Sequence, residues 1–587
     1  MKPADAILEQ ESGIPADAWR DFDRCLHAAF ARTTGGIAPY SMLAPFFDWG
    51  IHLMLDPGRR LHLWLRWWQT AHEFLRYASH HPGEDASVPD SIVFADPQDR
   101  RFRAQAWTRW PFHVTVHGFL LLQRWWQEAS SGVPGVTQQH ERLVRFLTRQ
   151  MLDAASPSNF LFSNPEVIDR TWAEQGLNLL RGASNAGRDW QGLAGWNSGA
   201  LESKFVPGKS VAVTPGKVVF RNHLIELMQY MPADASCHPE PILIVPAWIM
   251  KYYILDLSPG NSLVKFLVDS GYTVFMISWR NPDAGDAGLT MDDYREQGVC
   301  AALRAIASIV PDAKPHVAGY CLGGTLLAIA LAAMAREGRD RIASTSFFAA
   351  QTDFTDAGEL RLFIDEGQLA FLDDVMWSQG FLDSRQMAGA FQMLRSNDLV
   401  WSRMVRGYLM GLDEDSSDLM AWNADATRMP FRMHSEYLRR LFLDNDLAEG
   451  RFVAAGKPVA LSDLQGPIFC VGTERDHVAP WRSVYKMSLL IPAQFTFVLT
   501  EGGHNAGIVS EPGHRGRHYR VGTRTPDEPH LDPDSWFAHA KAKDGSWWVE
   551  WVQWLQTHST PSQKARAMGS AEFPVLGEAP GTYVFQR

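Results

Sequence analysis

Cysteine is scarce in this chain. Five residues in 587, Cys25, Cys237, Cys300, Cys321 and Cys470, are odd in number and scattered, which excludes a disulfide scaffold and points to a reducing, cytoplasmic setting. Long apolar runs are missing too: none reaches the roughly 18 to 20 residues of a membrane span, and the longest, Leu322 to Met334, reads as a buried helix. Basic residues are outnumbered, 55 Lys and Arg against 66 Asp and Glu for a net charge of −11; a nucleic-acid partner needs the opposite balance. Met1 to Ser12 carry acids and no apolar stretch, so no secretory signal is expected. No G-x-G-x-x-G or Walker loop occurs, hence no nucleotide cofactor is expected. His113 and His117 lie four apart on one helix face, but no third ligand joins them, so no metal is expected either.

What is present describes a large globular protein: 46% hydrophobic, 21% charged and 23 Trp, a residue that favours places where apolar surface meets a polar group or a partner. Residues 1–205 read as a mainly helical domain. Trp64, Trp67, Trp68, Phe74 and Leu75 recur at helical spacing, as do Phe119, Leu122 and Trp126; most are expected in a core or packed against the next domain, with contact to a greasy partner the minority alternative. Asn164 and Pro165 form a helix start, as N-cap and first helical residue. Residues 206–560 change to short β-branched strands alternating with helices: Val218–Phe220, Ile242–Val245, Thr273–Ser278, His316–Tyr320, Ser344–Ala349, Ile468–Val471 and Phe495–Leu499. Near-continuous apolar strands between helices predict a mostly parallel sheet buried on both faces, an α/β class. About 350–459 breaks the alternation and reads as a helical cap, since a structureless loop of that size is improbable. Residues 561–587, rich in Ser, Pro, Ala and Gly, read as a weakly ordered tail.

The most informative local feature is Gly319-Tyr320-Cys321-Leu322-Gly323-Gly324, where an apolar strand runs into a glycine-framed cysteine and then a helix. That is the layout of a nucleophile elbow with a thiol in place of the hydroxyl. The bland alternative is a small buried cysteine at a tight packing point. A nucleophile needs a base, and the base an orienting carboxylate. On the α/β-hydrolase fold these follow in the order nucleophile, acid, histidine, each after a strand. Ile468–Val471 leads to Asp476, and Phe495–Leu499 leads to Gly502-Gly503-His504. Cys321, Asp476 and His504 are therefore the candidate triad. Glu474 and His477 compete for the acid and base roles; His514 and His518, in a polar stretch, read as surface. The oxyanion donors expected are the N–H of Leu322 and one from the loop after Ile242–Val245, at Ala247 or Trp248.

With these residues placed, the chain strongly resembles the polyhydroxyalkanoate synthases of the long single-subunit type, over nearly its whole length. The resemblance is carried by Ser163-Asn164-Pro165-Glu166, Thr214 to Phe220, Lys251 to Leu257, Ser278 to Asp283, the elbow, Asn397 to Trp401, Trp422 to Thr427 and Asp476 to Trp481. It implies a mostly parallel α/β-hydrolase domain with a cap that opens, and a polymerase of (R)-3-hydroxyacyl coenzyme A. In that family the elbow cysteine is acylated, the Asp before His assists and the late His is the base, roles that fall on Cys321, Asp476 and His504. It further implies a growing polyester chain, a granule surface and a homodimer, with no cofactor beyond the departing coenzyme A. Lys251 and Arg280 are candidates for its phosphates. Two departures lie beside the acyl site: Met250 where the family often has Asn, and Asn505 where it often has Ile. A cysteine thioesterase on the same fold and a catalytically silent granule-coating protein are the rival readings.

Overall fold

In a computed structural model of the protein, the structure describes residues 16–80, 99, 101–193, 204–232, 236–339, 341–383, 386, 400–413 and 417–587. The chain forms two compact units, one of Met1–Gly36, Ser203–Met387 and Ser416–Arg587, the other of Ile37–Glu202 with Ala388–Asp415. Two segments thus cross the boundary expected near residue 205. Within the first unit, helix α1 (Ala16–Thr34) packs on the helix Glu366–Gln379, with His27 Nδ1 2.7 Å from Asp374 Oδ2 and Arg24 lying over the Trp377 ring.

The second unit is helical: α2 (Pro39–Leu55), α3 (Pro57–His80), α4 (Phe112–Ala129), α5 (Gln138–Ala154), α6 (Pro165–Ala173) and α7 (Leu177–Leu193). Asn164 caps α6, its side chain accepting from Glu166 N at 3.0 Å and Val167 N at 3.3 Å, with Pro165 following at the position where its missing N–H costs nothing. Phe102, Trp107, Val116, Phe119 and Leu120 form this unit's buried cluster. Trp64, Trp67 and Trp68 do not join a core, the first of the placements expected for them; they are 56%, 44% and 57% exposed. His113 sits 2.9 Å from the Tyr77 hydroxyl and His117 stacks on the Tyr77 ring, so both histidines pack against one aromatic side chain.

The first unit is built on an eleven-stranded sheet of β1 (Lys217–Arg221), β2 (Ile225–Tyr230), β3 (Ile242–Val245), β4 (Val274–Trp279), β5 (His316–Tyr320), β6 (Ser344–Phe348), β7 (Ile468–Thr473), β8 (Phe495–Thr500), β9 (His518–Arg524), β10 (Lys541–Asp544) and β11 (Gly577–Glu578). Their spatial order is β10-β9-β8-β7-β6-β5-β3-β4-β2-β1-β11. The six central strands, β4 through β8 in that order, pair parallel. Antiparallel strands extend both edges. Every residue of β3 through β8 is buried, which is why those strands read as near-continuous runs with few charged residues. Strand β2 is equally buried yet contains Glu226 and Gln229. Among the described residues of 350–459, the part that belongs to this unit includes helices Glu366–Gln379, Asp418–Ala424 and Phe431–Tyr437; Asn397 to Leu399 of the Asn397–Trp401 motif lie outside the described residues.

The reading of 561–587 as a weakly ordered tail is corrected by the structure. Strand β11 pairs antiparallel with β1, Lys217 opposite Glu578 and Val218 opposite Gly577. Beyond it the buried Glu226 carboxylate accepts from Thr582 N at 2.8 Å, Thr582 Oγ1 at 2.8 Å and Tyr583 N at 2.9 Å. Val584 is buried. A composition poor in large apolar residues suggested disorder; what orders the segment is a buried anion more than 350 residues upstream in the chain.

Candidate active site

Cys321 follows the last residue of β5 and caps the buried helix Leu322–Arg336. Its N–H donates to Phe348 O on β6 at 2.8 Å. The backbone is forced to φ +53°, ψ −126°, a conformation that a residue with a β-carbon avoids unless its surroundings impose it. The glycines make that turn possible by absence of bulk. A β-carbon on Gly319 would lie 2.4 Å from Gly324 Cα, one on Gly323 2.2 Å from Val245 O, and one on Gly324 2.4 Å from the Ala350 side chain. Strand, elbow and helix are thus in backbone contact, which leaves the Cys321 side chain directed off the end of the sheet.

The loop after β8 brings His504 to it, with Nε2 3.1 Å from Sγ. The loop after β7 brings Asp476, whose Oδ2 lies 2.7 Å from His504 Nδ1. Asp476 is itself fixed: Oδ1 accepts from Val478 N at 2.9 Å and Ala479 N at 2.8 Å, and Oδ2 from Thr473 Oγ1 at 3.0 Å. Burial works against a charge on Asp476, but the imidazole and those two backbone N–H groups more than offset it and hold the carboxyl below its usual range. Burial likewise opposes a cationic His504; the Asp476 carboxylate and the Cys321 sulfur outweigh it and raise the imidazole well above its ordinary value. The three groups therefore form a hydrogen-bonded line, sulfur to imidazole to carboxylate, in which a proton taken up by His504 is favoured by the Asp476 carboxylate behind the ring.

The competitors sit elsewhere. Glu474 faces His518 at 3.7 Å, the His477 carbonyl accepts from Glu359 N in the inserted segment, and His514 and His518 are exposed. Leu322 opens the helix, where the first N–H groups have no intrahelical acceptor. Ala247 and Trp248 are buried in the loop after β3, and that loop lies against the elbow, as the closeness of Gly323 to Val245 O and Pro246 O shows. The inserted segment clamps this loop: Thr427 donates to Trp248 O at 2.7 Å and to Ile249 O at 3.1 Å, and Trp422 Nε1 to Lys251 O at 2.7 Å. Met250 pairs with Ala426 through a single antiparallel bridge. Two stretches far apart in the chain, Lys251–Leu257 and Trp422–Thr427, are thereby one structural unit behind the site.

Lys251 and Arg280 are not placed as expected for phosphate ligands. Lys251 is 3% exposed and its Nζ donates to Gln586 O at 2.6 Å and Tyr583 O at 3.4 Å, with burial lowering its ionisation. Arg280 pairs with both Asp283 and Asp286, so its charge is already balanced. Sequence reasoning missed Thr473 and the C-terminal residues beneath the loop, and only Thr473, three residues before Asp476, carried a local signal. Among the described residues no group of three or more His, Cys, Asp or Glu is arranged to hold a metal ion, and no helix is long and apolar enough to cross a membrane.

Comparison with known proteins gives this geometry its context. Three family profiles match: the poly-beta-hydroxybutyrate polymerase (PhaC) N-terminus over residues 98–267, a second poly-beta-hydroxybutyrate polymerase N-terminal profile over 17–59, and the alpha/beta hydrolase fold over 240–511. The chain is 40% identical to the poly(3-hydroxyalkanoate) polymerase of Methylorubrum extorquens over 85% of its own length and 82% of the relative's. It is 38% identical to the corresponding polymerase subunit of Rhizobium meliloti, covering 83% and 79%, and 38% identical to that of Cupriavidus necator, covering 83% of each. Among solved structures, a monoacylglycerol lipase of Paleococcus ferrophilus aligns with a TM-score of 0.32 at 11% identity, covering 57% of this chain and 99% of the lipase. With relatives this similar over this much of both chains, the protein belongs to the poly(3-hydroxyalkanoate) polymerase family, acyltransferases built here on an α/β-hydrolase sheet.

Proposed function

We propose that the protein polymerises (R)-3-hydroxyacyl coenzyme A through an acyl group carried on Cys321. The observation that carries this is the 3.1 Å approach of Cys321 Sγ to His504 Nε2, with Asp476 behind the ring. The Cys321 proton passes to His504, and the sulfur attacks the substrate's thioester carbonyl. The C–S bond to coenzyme A breaks, and the departing thiolate takes the proton from His504. One thioester has replaced another, so the acyl group stays activated. With its proton gone to coenzyme A, His504 is left neutral, and the acylated sulfur has no proton of its own to offer Nε2, which is free to accept one. It then accepts the proton of an incoming 3-hydroxyl, whose oxygen attacks the acyl carbon and displaces Cys321. Each cycle makes one ester bond and frees one coenzyme A. Leu322 N–H, with Ala247 or Trp248 N–H, is assigned to the oxyanion, and the inserted segment at 350–459 to excluding water.

The same reading places the growing polyester and the granule surface as partners of a homodimer. In its support, α2 and α3 present Phe47, Leu55, Trp64 and Trp68 as exposed apolar side chains, more than a surface facing only water usually offers. Supplying the purified chain with short and medium 3-hydroxyacyl coenzyme A tests the proposal. Thiol release and turbidity are expected to rise together, insensitive to chelators. Thiol release with soluble 3-hydroxy acid and no turbidity would assign a thioesterase, and neither signal would leave a granule-coating protein.

A further inference from the structure

We infer that Tyr320 and Asn505 form a positioning pair that sets the separation of the sulfur and the imidazole, a reading that rests on the triad proposed above. Tyr320 immediately precedes Cys321 and Asn505 immediately follows His504. The Tyr320 hydroxyl donates to Asn505 Oδ1 at 2.6 Å, while the neighbouring Sγ and Nε2 stand 3.1 Å apart. Two adjacent residues on the elbow are thus tied to two adjacent residues on the histidine loop, and the four close a small ring of covalent and hydrogen bonds. The Tyr320 ring also lies 5.8 Å from the His504 ring, tilted by 31°, and so walls one side of the imidazole.

Each partner is anchored independently of the other. Tyr320 is 2% exposed and ends a strand paired on both sides, by β3 and β6. The Asn505 carbonyl accepts from Ile508 N at 3.1 Å and Val509 N at 3.0 Å, which fixes the turn that carries His504. Before the base, the loop is held through the Gly502 and Gly503 carbonyls, which accept from Arg475 N at 2.9 Å and Gly507 N at 2.8 Å. A hydrogen bond just beyond it restricts where the ring can go. Burial keeps the phenol protonated and therefore a donor. Filling space would need only an apolar ring at 320 and an apolar side chain at 505; a donor and an acceptor meeting at 2.6 Å specify a distance and a direction.

Four chains test this: the parent, Tyr320→Phe, Asn505→Leu and the double variant. Each single change is expected to lower kcat about 10- to 100-fold with KM changed less than about twofold, the scale on which small misplacements act. The double variant is expected to recover part of the loss, because it removes both polar groups and leaves neither unpaired. The pH profile of Cys321 alkylation by iodoacetamide, read by peptide mass spectrometry so that exposed Cys25 does not contribute, should shift in both single variants; this readout needs no substrate, and a purely structural contact would not move it. Tyr320→Phe, which removes one oxygen, serves as the folded control by circular dichroism. Single variants with parental kcat and parental alkylation profiles, or strictly additive effects in the double, would overturn the pairing. Coenzyme A release that survives Cys321→Ala would instead sink the triad, so the two failures are told apart.

Discussion

Cys321→Ala is expected to lose coenzyme A release by about four to six orders of magnitude, the scale seen when a nucleophile is removed from an intact hydrolase site. The fold should survive. The substitution keeps the β-carbon and therefore the φ of +53° that the elbow already tolerates. The Phe348 contact to its N–H is made by backbone, and the side chain is only partly buried. Circular dichroism and a thermal melt close to those of the parent should accompany the loss. Cys321→Ser makes a sharper comparison. It keeps an acceptor and a donor near His504, but the acyl group it would take is an ordinary ester, less activated than the incoming thioester. That variant is expected to release coenzyme A at most once per site and to form no polymer. Sustained turnover by either variant, measured by thiol release, would mean that the acyl group does not pass through residue 321.

Removing residues 576–587 is the second change of large expected effect. The truncated chain loses β11 from the edge of β1 and leaves Glu226 buried with three of its donors gone, only Arg221 remaining among the partners seen here. Hydrogen bonds to a buried charge contribute about 1.5–3 kcal/mol each, so three are a large part of the about 5–15 kcal/mol that separates a typical folded domain from its unfolded chain. The damage would also reach the active site. Lys251, at the end of the loop that carries Ala247 and Trp248, donates hydrogen bonds to the carbonyls of Tyr583 and Gln586, and Asn281 N donates to the Gln586 side chain. The expected result is a sharp fall in melting temperature and soluble yield, with coenzyme A release lost. Glu226→Gln, which keeps the shape and removes the charge, should give a smaller fall in melting temperature. A truncated chain that melts with the parent would show that the segment is dispensable.

These two expectations differ in how visible their causes are in sequence. Cys321, Asp476 and His504 were legible because each follows a buried strand whose apolar run is nearly continuous, and glycines beside the first and last announce tight turns. The central sheet was legible for the same reason. Strand β2 was not, because Glu226 and Gln229 break its apolar pattern; their partners are Thr582, Tyr583 and Gly569 N, near the other end of the chain. Nothing local signals that a carboxylate will be buried against a segment hundreds of residues away, so the strand and the order of 561–587 were hidden together. Lys251 and Arg280 misled in a related way. A basic residue close to a catalytic loop in sequence suggests a phosphate ligand, yet Lys251 is satisfied by the chain end and Arg280 by Asp283 and Asp286. Trp64, Trp67 and Trp68 show the limit of periodicity, which gives the helix but not whether its apolar face is covered.

The role given to the sulfur of Cys321 is tested most directly by mass spectrometry of enzyme quenched with acid within its first turnovers on a 3-hydroxyacyl coenzyme A. The expected product is a peptide containing Cys321 heavier by one or more 3-hydroxyacyl units, the added mass released by neutral hydroxylamine as a thioester should be. An acyl group found on a different residue, with Cys321 unmodified while coenzyme A is being released, would contradict it.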